Sequence, residues 1–197
     1  MITRDQALEL INAHVGNKNI VKHMVALEAL MGGMHDKLRE MGRGEGELGG
    51  TKEEYMLAGL LHDGDYCDEV PMEKQGIQIV DWVKEKGYEV PENVAHAMAA
   101  HNWSNTGVEP ISLMDWTIFI GDSLTGLIVA TCLVLPSRKL ADVTVDMVLR
   151  RFKEKNFAAG TRRDEIAWCE EKLGLTLEDF VKVSLESMQK ISNEIGL

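Results

Sequence analysis

At 197 residues the chain can bury one full hydrophobic core without staples, and a single domain spanning residues 1–197 is expected. Its 45% hydrophobic content excludes general disorder, and a net charge of -11 excludes an extended phosphate-backbone footprint on nucleic acid. A small phosphate ligand stays open, because a few local Lys or Arg residues suffice for that.

Three cysteines, Cys67, Cys132 and Cys169, are widely spaced and follow no CxxC pattern. That argues against a thiolate zinc site or a redox couple and for a reducing compartment. The opening Met1-Ile2-Thr3-Arg4-Asp5-Gln6 lacks the apolar core of a secretion signal, so a cytoplasmic location is expected. Thr3 and Gln6 match a capping box that starts a short helix to about His14, ended by Val15-Gly16-Asn17. Asn19 is expected to cap a second helix, whose apolar positions Ile20, Met24, Leu27, Leu30, Met31 and Met34 recur at three and four residues. His23 lies on the margin of that stripe, and on its own it reads first as a core histidine. His14, His35 and His96 read as surface or packing residues.

The glycine-rich run from Gly42 to Gly50 predicts a loop, a linker or lid rather than a phosphate cradle, since it lacks the GxxxxGK[ST] order and carries two glutamates. Thr51 and Glu54 form a second capping box, and Tyr55, Met56, Leu57, Leu60 and Leu61 carry that helix to His62-Asp63-Gly64-Asp65. A histidine and an acid thus emerge from the end of a buried helix. There the macrodipole favours a cation, and desolvation demands either a bound ion or a hydrogen-bonded core pair. Pro71 is expected to open a helix that Gly87 terminates, and Pro91 another that closes on His101-Asn102. A central helix from about Ser112 follows, with Leu113, Trp116, Phe119, Ile120, Leu124, Leu127 and Ile128 on its sides. Asp115 and Asp122 interrupt the apolar stretch from Ile111 to Leu135, so no membrane span is expected. Asp122 has no Lys or Arg at helical spacing to pair with. Pro136 stops the helix, and Arg138-Lys139 supply a compact basic cluster. The remainder predicts helices over Val143–Phe152, Arg162–Leu173 and Thr176–Ile195. No alternating strand pattern appears, so the fold class is all-α.

His23, His62-Asp63, His101 and Asp122, each in an apolar surround, can converge in a helical bundle as a mixed nitrogen and oxygen set suited to Mn, Fe, Ni, Co, Zn or Mg. In order, spacing and helical setting, His23, then Leu60-Leu61-His62-Asp63-Gly64-Asp65, then Asp122-Ser123-Leu124-Thr125-Gly126-Leu127 resemble the HD-domain superfamily of metal-dependent phosphohydrolases, over roughly His23 to Arg138. The resemblance implies an HD-domain-like helical bundle with its metal-site core at about 19–140, helices 143–197 packed on it, and one divalent metal held by His23, His62, Asp63 and Asp122. It also implies hydrolysis of a small phosphate ester or nucleotide through a metal-bound water. Relatives with two metals carry a histidine where this chain has Gln75-Gly76, so a single metal is expected. Nucleotidase relatives carry a glutamate where this chain has Tyr66; Asp65 or His101 is then the candidate proton-transfer group, with a turn or outer-sphere acceptor role open for Asp65. Lys22, Arg138 and Lys139 are candidate phosphate anchors. Two other readings keep the same residues: a non-catalytic metal-binding regulatory module, and an iron-dependent HD-type oxygenase, which Gln75 argues against.

Overall fold

The structure, a computed structural model, describes residues 1–197. It is all-α: thirteen α-helices and two short 3-10 turns, with no strand. α1 (Arg4–His14) starts at the reciprocal Thr3/Gln6 cap, in which the Thr3 N–H donates to Gln6 Oε1 at 3.0 Å. α2 (Lys18–Glu40) is capped by Asn17 rather than Asn19, because the Asn17 side chain reaches forward to accept from the Asn19 N–H at 3.0 Å.

Within the glycine-rich run a single helical turn, α3 (Glu45–Leu48), forms where loop was expected. Leu48 is buried and its carbonyl accepts from the Tyr55 hydroxyl at 2.8 Å, so tertiary contacts hold a backbone that glycine leaves free. α4 (Lys52–Leu61) begins at the Thr51/Glu54 box and delivers His62 at its C-terminal end. The helix expected at Pro71 is split: Pro71 precedes a 3-10 turn at Met72–Lys74, and α5 (Gln78–Glu85) follows. α6 (Glu92–His101) opens after Pro91, and a single turn, α7 (Trp103–Thr106), comes next. α8 (Leu113–Leu133) starts at a Ser112/Asp115 capping box, and α9 (Val145–Lys153) at Thr144.

Two helices expected to be continuous are broken. The first becomes α10 (Arg163–Ile166) and α11 (Cys169–Leu173), with Trp168 between them stacked on Phe119 of α8, ring centroids 6.0 Å apart. The second becomes α12 (Leu177–Lys190) and α13 (Ser192–Ile195), with Ile191 leaving helical geometry at ψ 15°.

α2 packs along α4, and α8 and α12 cover its other sides; α6, α9, α10 and α11 pack on α8. One hydrophobic cluster joins residues of both chain halves, for example Leu27 and Leu124 with Phe180 and Met188. At Gly59 the backbone of α4 lies against that of α2, since a Cβ there would stand 2.9 Å from the Leu27 carbonyl carbon and oxygen. By length and composition α8 is long and apolar enough to cross a membrane, with mean hydropathy 1.6, but 61% of that window is buried inside the fold.

Candidate metal centre

The packing of α2, α4, α6 and α8 brings His23, His62, Asp63, His101 and Asp122 to one place. His23 comes from α2, His62 closes α4, Asp63 follows in the turn, Asp122 sits midway along α8 and His101 ends α6. His23 Nε2 lies 3.2 Å from His62 Nε2, 2.9 Å from Asp122 Oδ1 and 3.8 Å from Asp63 Oδ2. His62 Nε2 lies 3.3 Å from Asp63 Oδ2 and 3.9 Å from Asp122 Oδ1. With metal–ligand bonds of about 2.1 Å, donors on one ion stand roughly 3.0 Å apart at right angles and 3.4 Å apart at tetrahedral angles. These separations bracket those values, with Asp122 placed against the two histidines and outside the mutual cluster of His23, His62 and Asp63. The ligating atoms of His23, His62 and Asp63 all fall within 4.8 Å of one another.

The outer nitrogens fix which imidazole atoms face inward. His62 Nδ1 is 2.8 Å from the Gly59 carbonyl, and His101 Nδ1 meets the Met98 carbonyl; a carbonyl only accepts, so both Nδ1 atoms carry the proton. Thr125 Oγ1 donates its one proton to the Asp122 carbonyl at 2.8 Å and therefore accepts from His23 Nδ1 at 2.9 Å. The three Nε2 atoms are left facing two carboxylates, where each can carry a proton or bind a cation. Two imidazole nitrogens 3.2 Å apart are compatible only if a proton or a cation lies between them. The donor set thus fits a divalent ion, in the arrangement in which each ligating histidine is oriented from behind.

The electrostatics follow from this crowding. Burial opposes ionisation of Asp63, but His62 and His101 outweigh it and hold its carboxyl well below the usual carboxylate range. Burial likewise opposes the Asp122 carboxylate, and His23 outweighs it, so its pKa is also lowered. For His23 and His101 burial disfavours the imidazolium; hydrogen bonding and charge attraction to Asp122 and Asp63 respectively overcome that and leave both above the ordinary histidine value.

Asp65 makes the acceptor contacts that the sequence left open for it beside proton transfer. It is fully buried, and its carboxylate accepts from the Gly76 N–H at 2.8 Å and the Ile79 N–H at 2.9 Å, capping α5 from outside its own segment. Its pKa is raised, burial exceeding the effect of those hydrogen bonds. His101 stays beside the cluster, Nε2 at 3.4 Å from Asp63 Oδ1. Gln75 turns its amide to the Val70 carbonyl at 3.4 Å and lines a separate cleft with His14 and Tyr66.

Of the basic candidates, Lys22 is exposed at the edge of a groove beside His23. Arg138 and Lys139 are exposed beyond the end of α8 and line neither cleft next to His23. The last helical residue, Leu133, is already roughly 16 Å along the axis from Asp122.

The cation that does reach the centre is Arg162, at the start of α10. Its Nη2 donates to Asp122 Oδ2 at 2.8 Å and its Nε to Ser123 Oγ at 3.1 Å, with Glu165 Oε2 also 2.8 Å from Nε. Arg163 next to it clips the preceding loop, donating to the carbonyls of Phe152 at 2.9 Å and Glu154 at 3.1 Å, and so holds Ala158 at a left-handed φ of 45°. Arg162, Thr125 and the Ala158–Thr161 backbone border a cleft of about 490 Å³ or the histidine behind it. None of these carries a periodic signal in the sequence; the Arg162-Arg163 pair after Gly160 was its only local mark. The chain matches no protein-family model, no curated protein and no solved structure.

Proposed function

We propose that the protein is a metal-dependent phosphohydrolase of the HD-domain kind that hydrolyses a small phosphate ester with one divalent metal. The observation that carries this reading is the convergence of His23, His62, Asp63 and Asp122 with the histidine Nε2 atoms inward and an arginine at the edge. A cation held by these four residues would supply Lewis acidity toward a phosphoryl oxygen and lower the pKa of a nearby water. Gln75, turned away to Val70, leaves Asp63 Oδ1 and His101 without the further ligand that a second ion would require.

The chain's own groups then divide the work. Arg162 spends Nη2 on Asp122 and Nε on Ser123, which leaves Nη1 and the second Nη2 proton to bind phosphoryl oxygens in the cleft. Hydrolysis joins a water oxygen to phosphorus and breaks the phosphorus–oxygen bond to the alcohol, whose oxygen leaves with the electron pair and takes up a proton. His101, 3.4 Å from Asp63 Oδ1 and with its pKa raised by that carboxylate, is the group assigned to supply the proton the alcohol takes up, through Asp63 and the water beside it, and the proton released by the attacking water restores it.

Elemental analysis after reconstitution with Mn, Ni, Co, Fe, Zn or Mg tests the centre, and orthophosphate release from a panel of phosphate esters tests the activity. About one ion per chain, lost in Asp63→Ala, together with release that needs the ion, is the expected result. A bound ion without release from any ester points to a metal-binding module without turnover, and no ion under any condition removes the hydrolase reading.

A further inference from the structure

Two clefts meet at His23. The polar one, bordered by Asp122, Ser123 and Arg162, holds the outer edge of the centre. The other, about 410 Å³, runs away between Ala26, Val129 and Leu133, with Lys22 at its rim. Gly126 lies in the lining of both, one turn beyond Asp122 on α8.

Gly126 is anomalous among the glycines of the long helices. At Gly32, Gly59 and Gly121 an added Cβ would come within 2.9 to 3.0 Å of Met56, the Leu27 backbone and Leu30 respectively, and at Gly33 it would collide with Ser187. At Gly126 it would meet nothing within 4 Å, and the residue has no positive φ. An interior helical glycine is less stable than alanine, and here the fold itself gains nothing in return. Gly126 is exposed, and the space over it, at the meeting of the two clefts, is open to a ligand.

We infer that the substrate lies across Gly126, its phosphate beside Arg162 and its organic part in the Ala26–Val129–Leu133 groove, so that it is a phosphate monoester of an apolar alcohol. The inference rests on the phosphohydrolase reading and narrows it. No Phe, Tyr or Trp lines the groove, so a nucleobase finds no stacking surface, whereas Leu133 leaves an aliphatic wall 48% exposed for an alkyl body to cover.

The test compares kcat/KM of the metal-loaded protein for n-hexyl phosphate and ethyl phosphate, two alkyl esters with closely similar leaving groups that differ by four methylenes. Wild type should prefer the hexyl ester at least tenfold. Gly126→Leu, which fills the crossing, should bring the ratio near one while metal content is kept. Leu133→Asn, an exposed change that leaves the core alone, should lower the ratio at least threefold. Gly126→Ala should raise Tm by about 2–4 °C. A wild-type ratio near one with measurable turnover overturns the substrate class and leaves the hydrolase reading standing; so does a ratio that survives Gly126→Leu, or a lower Tm in Gly126→Ala. No turnover of any ester in the wider panel overturns the hydrolase reading, and this inference with it.

Discussion

Replacing Gly59 by alanine sets helix propensity against packing, and the structure decides the sign. Alanine is favoured over glycine in a helix interior by about 0.8–1 kcal/mol. Against that, the new Cβ would lie 2.9 Å from three backbone atoms of α2: the carbonyl carbon and oxygen of Leu27 and the nitrogen of Glu28. Ordinary carbon contacts begin near 3.5 Å, so the shortfall is about 0.6 Å, and backbone atoms cannot rotate aside as a side chain does. Overpacking of this kind costs about 1–3 kcal/mol. Packing outweighs propensity over nearly all of that range, and Gly59→Ala should lose up to about 2 kcal/mol net, a fall of up to roughly 8 °C in Tm for a chain of this size. The same helices carry His23 and His62, whose Nε2 atoms are 3.2 Å apart, so a wedge between them should also weaken metal binding. Urea denaturation of the metal-free protein, read as a change in midpoint at constant slope, measures the first effect, and competition with a chelator measures the second. Gly126→Ala is the internal control, because the same chemical change in open space should stabilise. A Gly59→Ala protein more stable than wild type, as Gly126→Ala is expected to be, would refute the reasoning, since α2 and α4 would then have slack that the backbone contact denies.

Three further outcomes follow from other parts of the molecule. Asp65→Asn removes the charge that holds the Gly76 and Ile79 N–H groups, and calorimetry should show a loss of about 1–3 kcal/mol with the metal content per chain unchanged; a drop in metal content instead would return Asp65 to the centre. In the metal-free protein His23 and His101 titrate above the ordinary histidine value of about 6.5. Their contribution to stability is therefore fully present below that value and is lost as pH rises through the raised folded-state values, while metal affinity rises over the same range because ion and proton compete for the same Nε2 atoms. Tm and metal affinity that move together with pH would contradict this. Cys132 and Cys169 are buried, and burial raises both thiols, Cys169 to about 11, so at pH 8 a disulfide reagent should modify one thiol per native chain quickly, at Cys67; fast reaction of all three would mean the core opens readily.

The helical class, the caps at Thr3 and Thr51, and the positions of His62-Asp63 and His101 at helix ends were legible in the sequence. They depend on contacts three or four residues apart, which periodicity and capping residues report directly. His23 and Asp122 were legible for a related reason: each is a polar residue in an apolar helix stripe, and such a residue needs a partner that the stripe itself does not supply.

What only the tertiary structure decided concerns partners distant along the chain. The pairing of Arg162 with Asp122 spans 40 residues and depends on how α10 and its loop settle on α8. Asp65 became a cap because the segment before α5 folds back onto it, and Gln75 turned to Val70 in the same loop. The crossing at Gly126 exists only because α2 and the segment before α10 flank that part of α8 without covering it. A helix is fixed by its own neighbours, whereas the company each side chain keeps is fixed by which helices pack and at what register. That depends on the sum of many weak apolar contacts and leaves no local mark in the sequence.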